Sequence, residues 1–406
     1  MSNKLPLQGI RITDFSWVGA GPTTTRTLAE YGAEVIKIES SKRPEILRLT
    51  GPFRDAIPGV NRSGYFSNRN PNKKSLDLNM KHPKARDLVV DLIKKSDIII
   101  NNFTLGVMEK WDLGYEDVKK INPQIIYVTM PSQGSTGPHA DYMGFGGTMS
   151  ALVGINYLSG FPEGEPFGTG TNYPDHVPNP AHTAFGIMAA LWYRKKTGEG
   201  QYLEIAQTET SLNFLPTAVM NYSLNDEILE RIGNRNLNAA PHGVYTTLGN
   251  SRWIAIAAFT EQEWTGIKQV MGFPAWADAD KFATLDHRLK NQDELDASIE
   301  EWTKGHDGYQ LMNKLVQAGV RAGVVQNPKD LLEDPNLIAR NFYKYLDHPE
   351  MRRHVYNITP CHLSKTPGQL TSPAPLIGEH TDEVLREVLG LSEKEIQVLK
   401  AQDVVG

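Results

Sequence analysis

Cysteine is almost absent from this chain of 406 residues, which contains only Cys361. A single cysteine excludes an intrachain disulfide framework and a thiolate metal cluster built within one chain. We therefore predict that Cys361 is a buried packing residue. Long apolar runs are lacking too: no stretch of about 18 apolar residues occurs, and residues 1–15 lack the apolar segment of a signal peptide. These absences predict a cytoplasmic protein with no membrane partner.

Net positive charge is also lacking, because 47 acidic residues outnumber 42 lysines and arginines and give a formal net charge of −5. The chain therefore offers no broad basic surface, and we expect no nucleic-acid partner. Local clusters of lysine and arginine still suffice to hold a small anionic ligand. With 40% hydrophobic and 22% charged residues, the composition is typical of a globular protein large enough for two domains.

Strand-like and helix-like segments alternate in the first half of the chain. The stretches "GIRITDF", "AEVIKIE", "IIINNF" and "QIIYVTM" are short and apolar, and helical patterns such as "KARDLVVDLIKKSD" separate them. This alternation predicts a parallel sheet covered on both faces, a doubly wound α/β fold. We assign residues 1–224 to a large domain, residues 225–330 to a smaller α+β domain, and residues 331–406 to a segment that packs back on the large domain.

Residues 131–182 are rich in glycine, proline and polar residues, which predicts functional loops around a short helix. A helix follows over residues 181–195, and Asn179 and Pro180 are suited to begin it. Its apolar stripe consists of Phe185, Met188, Leu191 and Trp192. After the strand "QYLEIAQ", a further helix is predicted over residues 208–223.

The stretch "SWVGAGPTTTRTLAEYGAEVIKIES", residues 16–40, matches part of the dinucleotide-binding fingerprint. In that fingerprint, glycines let the backbone approach a pyrophosphate, and an acid after the second strand binds a ribose hydroxyl. Gly19, Gly21 and Glu39 match it. Thr24 replaces the third glycine, and Pro22 removes an N–H group at the helix start. An NAD-dependent enzyme is therefore a distant alternative, and a structural turn is the plainer one.

Further segments, which the dinucleotide interpretation leaves unused, follow in order: "NRNPNKKSLDLNM", "DIIINNFTLGVMEKWDLGYEDV", "NPQIIYVTM", "RKKTGEGQYLEIAQTE" and "PLIGEHTDEVLREVLGLSEKEI". With the opening stretch they resemble the class III coenzyme A transferases, the CaiB/BaiF family of formyl-CoA transferase and carnitine CoA-transferase. The resemblance implies an enzyme that moves CoA from an acyl-CoA thioester to a free carboxylic acid, with neither a metal nor NAD. It also implies a large domain formed from both chain ends and an interlocked dimer.

The resemblance implies a covalent nucleophile at Asp175, in "NYPDHVPNPAH". A carboxylate that attacks a thioester gives a mixed anhydride and CoA thiolate, and the thiolate then forms an aspartyl-CoA thioester. On the residues alone, an aspartate in a proline-rich loop is more often a turn or cap former. The Gly-rich segment 144–147, with Gly146, is either a source of backbone N–H groups for the reaction or a plain turn before a helix.

The resemblance also carries over positions that contact CoA. Its backbone and apolar contacts match Val18, Ala20, Leu78, Asn102 and Phe103. The cationic residues available for the nucleotide phosphates are Lys42, Arg43, Lys74 and Lys110. A lone lysine is by default a solvated surface residue, and it lacks the bidentate geometry of arginine.

A different reaction, catalysed by enzymes of the same fold, is a further alternative. In α-methylacyl-CoA racemase a histidine is the partner of the matching aspartate, because an acid and a base must flank one carbon. Here His139 lies earlier than the expected place and Met143 nearer to it. A non-catalytic subunit that only holds CoA is a third alternative, against which the intact Asp175 argues.

The substrate prediction rests on similarity to the CoA-transferase subunits of anaerobic toluene degradation. It implies succinyl-CoA as donor, (R)-benzylsuccinate or a related aromatic or dicarboxylic acid as acceptor, and a homologous second subunit or an identical one. The predicted pocket lining is Trp17, Tyr142, Gly146 and His176. The glycine tetrad of formyl-CoA transferase has no match near residues 234–245, which counts against a formyl or oxalyl substrate.

Overall fold

The computed structural model describes residues 4–406, which divide into two compact units. The large unit consists of the chain up to Ile155, Gly168–Glu227 and Ala339–Gly406. The small unit consists of Asn156–Phe167 and Ile228–Ile338. Both ends of the described chain therefore belong to the large unit.

Six strands form the sheet of the large unit: β1 Arg11–Asp14, β2 Glu34–Glu39, β3 Lys73–Asp77, β4 Ile98–Asn101, β5 Ile126–Thr129 and β6 Gln201–Glu204. Their order is β3-β2-β1-β4-β5-β6, and every neighbouring pair is parallel. The predicted doubly wound α/β fold is confirmed. Because the order reverses between β1 and β4, the loops that follow these two strands diverge and leave a crevice at the carboxyl edge of the sheet.

The helices are, in chain order, α1 Ala20–Glu30, α2 Gly64–Arg69, α3 Pro83–Ile93, α4 Tyr115–Ile121, α5 Gly146–Leu152, α6 Ile155–Leu158, α7 Tyr173–His176, α8 Pro178–Thr197, α9 Gln207–Leu212, α10 Pro216–Asn225, α11 Glu261–Met271, α12 Leu285–Lys290, α13 Gln292–Thr303, α14 Gly308–Gln317, α15 Pro328–Glu333, α16 Pro335–Ala339, α17 Thr381–Glu383 and α18 Glu393–Ala401. A π-helical turn, Val384–Val388, extends α17. Short 3₁₀ turns cover Ile46–Leu49, Arg54–Ala56, Glu109–Trp111, Ala275–Asp278 and Asp280–Phe282.

Both faces of the sheet are buried, as the apolar strands predict. In β4, Ile99 packs with residues of α3, α4 and the C-terminal helices, whereas Ile98 and Ile100 pack on the opposite face with residues of α1 and α8. All three isoleucine side chains are fully shielded from solvent. The residues after 380 thus cover part of one face of the sheet in the large unit.

Helix α8 begins earlier than the sequence predicts, at Pro178, so Asn179 lies within it and does not cap it. Its buried face contains Ile187 and Ala190, while Phe185 of the predicted stripe is 76% exposed. The other exposed members of the stripe are Met188 and Trp192.

The helix predicted over residues 208–223 is interrupted. It forms α9 and α10, which are separated just before Pro216. Proline has no N–H group to continue the hydrogen-bond ladder, and this accounts for the break.

The prediction for Cys361 is wrong, because this residue is exposed. It follows the antiparallel hairpin of strands β10, Tyr343–His348, and β11, Arg352–Asn357. The carbonyl of Cys361 accepts a hydrogen bond from the hydroxyl of Tyr31 at the surface. Cys361 thus lies in a surface segment without regular structure.

The small unit contains an antiparallel sheet of β7 His242–Thr246, β8 Trp253–Ala257 and β9 Arg321–Val324. Its core includes Trp264, Phe282 and Leu311. The unit also takes in residues 156–167, which the sequence assigns to the large domain, because the Gly233 N–H donates to the Gly160 carbonyl. Across the described residues, no helix is long and apolar enough to cross a membrane.

Candidate active site

Asp175 lies in the one-turn helix α7 and is only 4% exposed. Two glycines from distant parts of the chain press their backbone against it. A Cβ atom at Gly19 would lie 2.6 Å from the Asp175 Cβ, and one at Gly146 would lie 2.8 Å from its Oδ2. Any larger residue at either position would displace the carboxylate, so the two glycines form a close-fitting cradle around it.

The Asp175 carboxylate has little to stabilise its charge. Burial raises its pKa to about 6, and the Gly146 N–H group and the positive charge of Arg69 only partly oppose this rise. At neutral pH the group is therefore mostly ionised but poorly solvated, which is the state of a reactive carboxylate. Loss of solvation is also what makes it a candidate nucleophile.

Asp175 borders a cavity of about 590 Å³, which we call the Asp175 cavity. Its walls come from the loops after β1, β4 and β5 and from the segment before α5. The lining includes Trp17, Val18, Gly19, Ala20, Arg43, Asn102, Phe103, Ser132, Tyr142, Met143, Phe145, Met149 and Gln207. The cavity thus lies at the carboxyl edge of the sheet, at the crevice where the strand order reverses.

A second cavity of about 430 Å³, the Leu78 cavity, adjoins the first. The two share Trp17, Arg43, Phe103 and Thr104. Apolar side chains line its floor, among them Phe15, Ile38, Leu78, Met80, Val107 and Trp111. Lys42, Arg43 and Lys81 also line it. An apolar slot that is lined by three cations suits a flat heterocycle carrying phosphate groups.

The loop between β1 and α1 is held in place by side chains on both sides. Asn102 clamps the Trp17 peptide, because its Oδ1 accepts from the Trp17 N–H at 2.8 Å and its Nδ2 donates to the Trp17 carbonyl at 2.7 Å. Val18 adopts φ of 65°, which is unusual for a β-branched residue. This fixed loop is what presents Gly19 to Asp175.

Most of the predicted CoA positions meet around the two cavities: Val18, Ala20, Lys42, Arg43, Leu78, Asn102 and Phe103. Of the predicted pocket lining, Trp17 and Tyr142 border the Asp175 cavity, and Gly146 touches Asp175 itself. Lys74 lines neither cavity and forms ion pairs with Glu34 and Glu383. Lys110 lies exposed on a 3₁₀ turn and lines neither cavity.

His176 does not line the Asp175 cavity. Its ring contacts Arg69 and the hydroxyl of Tyr65. Burial, followed by the nearby charge of Arg69, lowers its pKa to about 4, so the ring is neutral at physiological pH.

Glu39, the acid of the dinucleotide fingerprint, is engaged in the protein interior. Both of its carboxylate oxygens accept from the guanidinium of Arg48, at 2.6 and 2.8 Å, and Ser75 donates a third hydrogen bond. Because Arg48 and Ser75 already hold its oxygens, the Glu39 carboxylate is not available to bind a ribose hydroxyl. The structure therefore favours a structural turn at residues 16–40 over an NAD site.

Sequence reasoning missed three contributors: Gly19 as a wall of the cradle, Lys81 at the Leu78 cavity, and Arg69. A signal existed for Lys81, because it follows the carboxyl end of β3, where ligands of parallel sheets bind. Within residues 4–406, no cluster of histidine, cysteine and acidic residues is arranged to hold a metal ion.

Comparison with known proteins assigns the family. The model of CoA-transferase family III matches residues 7–381. The chain belongs to CoA-transferase family III. The predicted resemblance is thereby confirmed, and the chain is a CoA-transferase, an enzyme whose substrates include CoA thioesters.

Among its relatives is succinyl-CoA–D-citramalate CoA-transferase of Chloroflexus aurantiacus, 33% identical over 98% of this chain and 98% of that protein. The β subunit of succinyl-CoA–L-malate CoA-transferase from the same organism is 31% identical over 99% of this chain and 98% of that one. A solved CaiB/BaiF family protein from Brucella suis has a TM-score of 0.87 at 30% identity, covering 95% of this chain and all of that one.

Proposed function

We propose that this CoA-transferase moves CoA from succinyl-CoA to a dicarboxylic acid, with Asp175 as the covalent carrier. The observation that supports this most strongly is the buried, uncompensated carboxylate of Asp175 in its glycine cradle, at the wall of a cavity that adjoins a second cavity lined by cations. A carboxylate of this kind is suited to attack a thioester and has no evident structural role.

The reaction is balanced without any further reagent. An Asp175 oxygen attacks the thioester carbonyl, the C–S bond breaks, and a mixed anhydride and CoA thiolate result. The thiolate attacks the aspartyl carbonyl, which releases the donor acid and leaves an aspartyl-CoA thioester. The acceptor carboxylate then repeats the two steps in reverse order, and Asp175 is regenerated.

The Gly146 N–H group is the donor that the geometry offers to the oxygen on which charge develops, since it already bonds the Asp175 carboxylate. The apolar and almost fully buried Met149 in the cavity wall helps to keep water from the anhydride and the thioester. The nucleotide end of CoA fits the Leu78 cavity, with its phosphates near Lys42, Arg43 and Lys81.

The acceptor class follows from the relatives. D-citramalate and L-malate, named for two of them, are both substituted succinates. (R)-benzylsuccinate, the acceptor predicted from the sequence, is a substituted succinate as well. We therefore expect a succinate that carries a substituent on its chain, and the assay panel contains all three acids.

A second chain belongs to the proposal. One relative is the β subunit of a CoA-transferase, so we expect this chain to work with a homologous subunit or with a second copy of itself. The assays are therefore run on the chain alone and with its homologous partner.

The racemase alternative has less support in the geometry. His139 is exposed and stacks on Tyr142 at a ring distance of 4.5 Å, and no histidine in the described part of the chain lines the Asp175 cavity. A single carboxylate fits group transfer better than it fits removal and return of a proton at one carbon.

The test is intact-protein mass spectrometry after mixing with succinyl-CoA and trapping with hydroxylamine or borohydride. We expect a modification at Asp175 that is absent from Asp175→Ala. If CoA binds but no acyl-CoA of the panel modifies the protein, the racemase or the non-catalytic alternative replaces this proposal.

A further inference from the structure

Lys37 is a fully buried lysine of β2 that bonds two loops of the site. Its Nζ donates to the Ser16 carbonyl at 2.7 Å and forms an ion pair with Glu45 at 2.8 Å. Ser16 belongs to residues 15–19 between β1 and α1, which we call the Gly19 loop. Glu45 ends residues 40–45 after β2, which we call the Arg43 loop. One ammonium group thus joins both loops in the interior of the large unit.

The same two loops meet again at the cavity walls. The Arg43 guanidinium lies 5.8 Å from the centre of the Trp17 ring, and both residues line the Asp175 cavity and the Leu78 cavity. The Gly19 loop also presents Gly19 to Asp175. A shift of the Arg43 loop can therefore reach the Asp175 cradle through a short chain of contacts.

Glu45 relies on Lys37 for its charge. Its residue is 2% exposed, and within residues 4–406 Lys37 is its one ion-pair partner, while neither of its carboxylate oxygens accepts a hydrogen bond. The nearby Arg48 is held separately by Glu39, and in the described part of the chain neither of these two side chains bonds the Gly19 loop. Lys37 is thus the buried side chain that connects the Arg43 loop to the Gly19 loop.

Stability alone does not account for this buried charge. Burial would lower the pKa of Lys37, but Glu45, Asp14 and Glu39 outweigh this effect and raise it, so the ammonium group stays charged. In general, apolar residues of similar volume can replace a buried ion pair with little loss of stability or even a gain. An ammonium group can bond a carbonyl and a carboxylate at once, which an apolar side chain cannot do. The geometry that Lys37 fixes therefore explains it better than stability does.

We propose that Lys37 is a positioning residue that couples the nucleotide end of CoA to the Asp175 cradle. This inference rests on the proposed function, which places the CoA phosphates near Lys42, Arg43 and Lys81. Phosphates that bind Arg43 fix the Arg43 loop, and Lys37 then holds the Gly19 loop in the position that suits attack by Asp175. Binding of the nucleotide thereby raises the rate of transfer and not only the affinity for CoA.

The test compares succinyl-CoA with succinyl-pantetheine, which carries the same acyl group and thiol arm but lacks the nucleotide. Exchange of label from free succinate into each thioester gives kcat and KM separately, for the chain alone and with its homologous partner. For the native chain, kcat with succinyl-CoA should exceed kcat with succinyl-pantetheine by roughly 10²-fold.

Two variants remove the two ends of the ion pair. Lys37→Met should reduce the ratio of the two kcat values by roughly tenfold or more, because it slows the reaction of succinyl-CoA and leaves that of succinyl-pantetheine nearly unchanged. Glu45→Gln should change the ratio in the same direction, because it releases the Arg43 loop from Lys37.

Lys73→Met is the matched control. Lys73 is also buried, but its Nζ bonds Asp14, Pro22 and Asn70, none of which lies in the Gly19 loop or the Arg43 loop. This variant should lose stability and keep the native ratio of kcat values. A similar fall of the ratio in Lys73→Met would overturn the inference, because loss of any buried charge would then have the same effect.

Equal losses with both thioesters in Lys37→Met would also overturn the inference, because Lys37 would then only support the fold. A native chain whose two kcat values agree would overturn it too, since the nucleotide would then contribute to binding alone. If the native chain exchanges no label into succinyl-CoA, the proposed function itself fails. Should Lys37→Met not fold, Glu45→Gln decides by the same ratio.

Discussion

Two buried aspartates of the large unit, Asp14 and Asp175, lie in opposite electrostatic surroundings. Asp14 is fully buried, accepts hydrogen bonds from Ser16 and Thr25, and forms an ion pair with Lys73. Burial alone would raise its pKa, but Lys73 and then Lys37 outweigh this effect and lower it. Asp175 is almost as buried, yet its pKa rises to about 6. The same residue type is thus structural where its charge is compensated and chemically available where it is not.

The largest effect is expected at Asp175 itself. Asp175→Asn removes the nucleophile and should lower the CoA-transfer rate by roughly 10⁴-fold or more. The structural aspartate should not behave in this way: Asp14→Asn protein that remains folded should retain much of its activity. Steady-state kinetics on both variants compares them, and a fully active Asp175→Asn enzyme would contradict the assignment.

For the stability of the fold, we expect the larger loss from substitution of Asp14. Asp14→Asn leaves the positive charge of Lys73 buried without its partner and should lower the free energy of unfolding by about 3–5 kcal/mol. Asp403→Asn, which breaks the exposed ion pair with Lys42, is the control and should cost less than about 1 kcal/mol. Denaturant unfolding at pH 7 measures both. A small change in Asp14→Asn would show that its surroundings are not structural.

Asp175→Asn should stabilise the fold at neutral pH. A carboxyl group whose pKa is raised in the folded state adds stability below its unfolded pKa of 3.8, and this contribution is lost as pH rises to about 6. The asparagine of the variant does not ionise, so the variant does not lose this contribution as pH rises. Its free energy of unfolding at pH 7 should therefore exceed the native value by up to about 3 kcal/mol. Unfolding curves at pH 4 and pH 7 test this, and the difference should nearly disappear at pH 4.

The cradle can be tested with one methyl group. At Gly146 a Cβ would lie 2.8 Å from the Asp175 Oδ2, whereas at Gly147 the nearest atom, Asn172 Oδ1, is 3.9 Å away. Gly146→Ala should therefore reduce the transfer rate by roughly 10²-fold through misplacement of the carboxylate. Gly147→Ala is the matched control on the same helix, and equal rates in the two variants would argue against the cradle.

The smallest effect is a pH dependence. Because Asp175 must be ionised to attack, kcat/KM should fall about tenfold for each pH unit below about 6. An aspartate with an ordinary pKa would give a flat profile down to about pH 4. Rates between pH 4.5 and 8, in a range where the protein stays folded, distinguish the two.

The sheet was predictable from the sequence because its strands are apolar on both faces and helices separate them. The site was predictable only in part. Asp175 and Leu78 come from the family resemblance, but Gly19 and Gly146 are far apart in the chain, and only the fold brings them to one carboxylate.

Whether a lysine near β3 lines a cavity depends on which end of the strand its side chain reaches. Lys74 lies within β3 and its side chain reaches Glu34 at the amino end of β2, whereas Lys81 follows the carboxyl end of β3 and lines the Leu78 cavity. Composition and spacing do not distinguish these two lysines, and the register of the parallel strands does. The exposure of Phe185 and of Cys361 could not be predicted from the sequence either, because the burial of an apolar residue depends on what packs against it.

The most direct test of the central claim follows oxygen atoms through the reaction. In a single turnover, the enzyme converts unlabelled succinyl-CoA with an acceptor acid whose carboxylates carry ¹⁸O, and the mass of the peptide that contains Asp175 is then measured. In the proposed chemistry the acceptor carboxylate leaves one of its oxygens on Asp175, so this peptide should gain one ¹⁸O while peptides that contain Asp14 gain none. CoA transfer to the acceptor without ¹⁸O at Asp175 would contradict the covalent role of this residue.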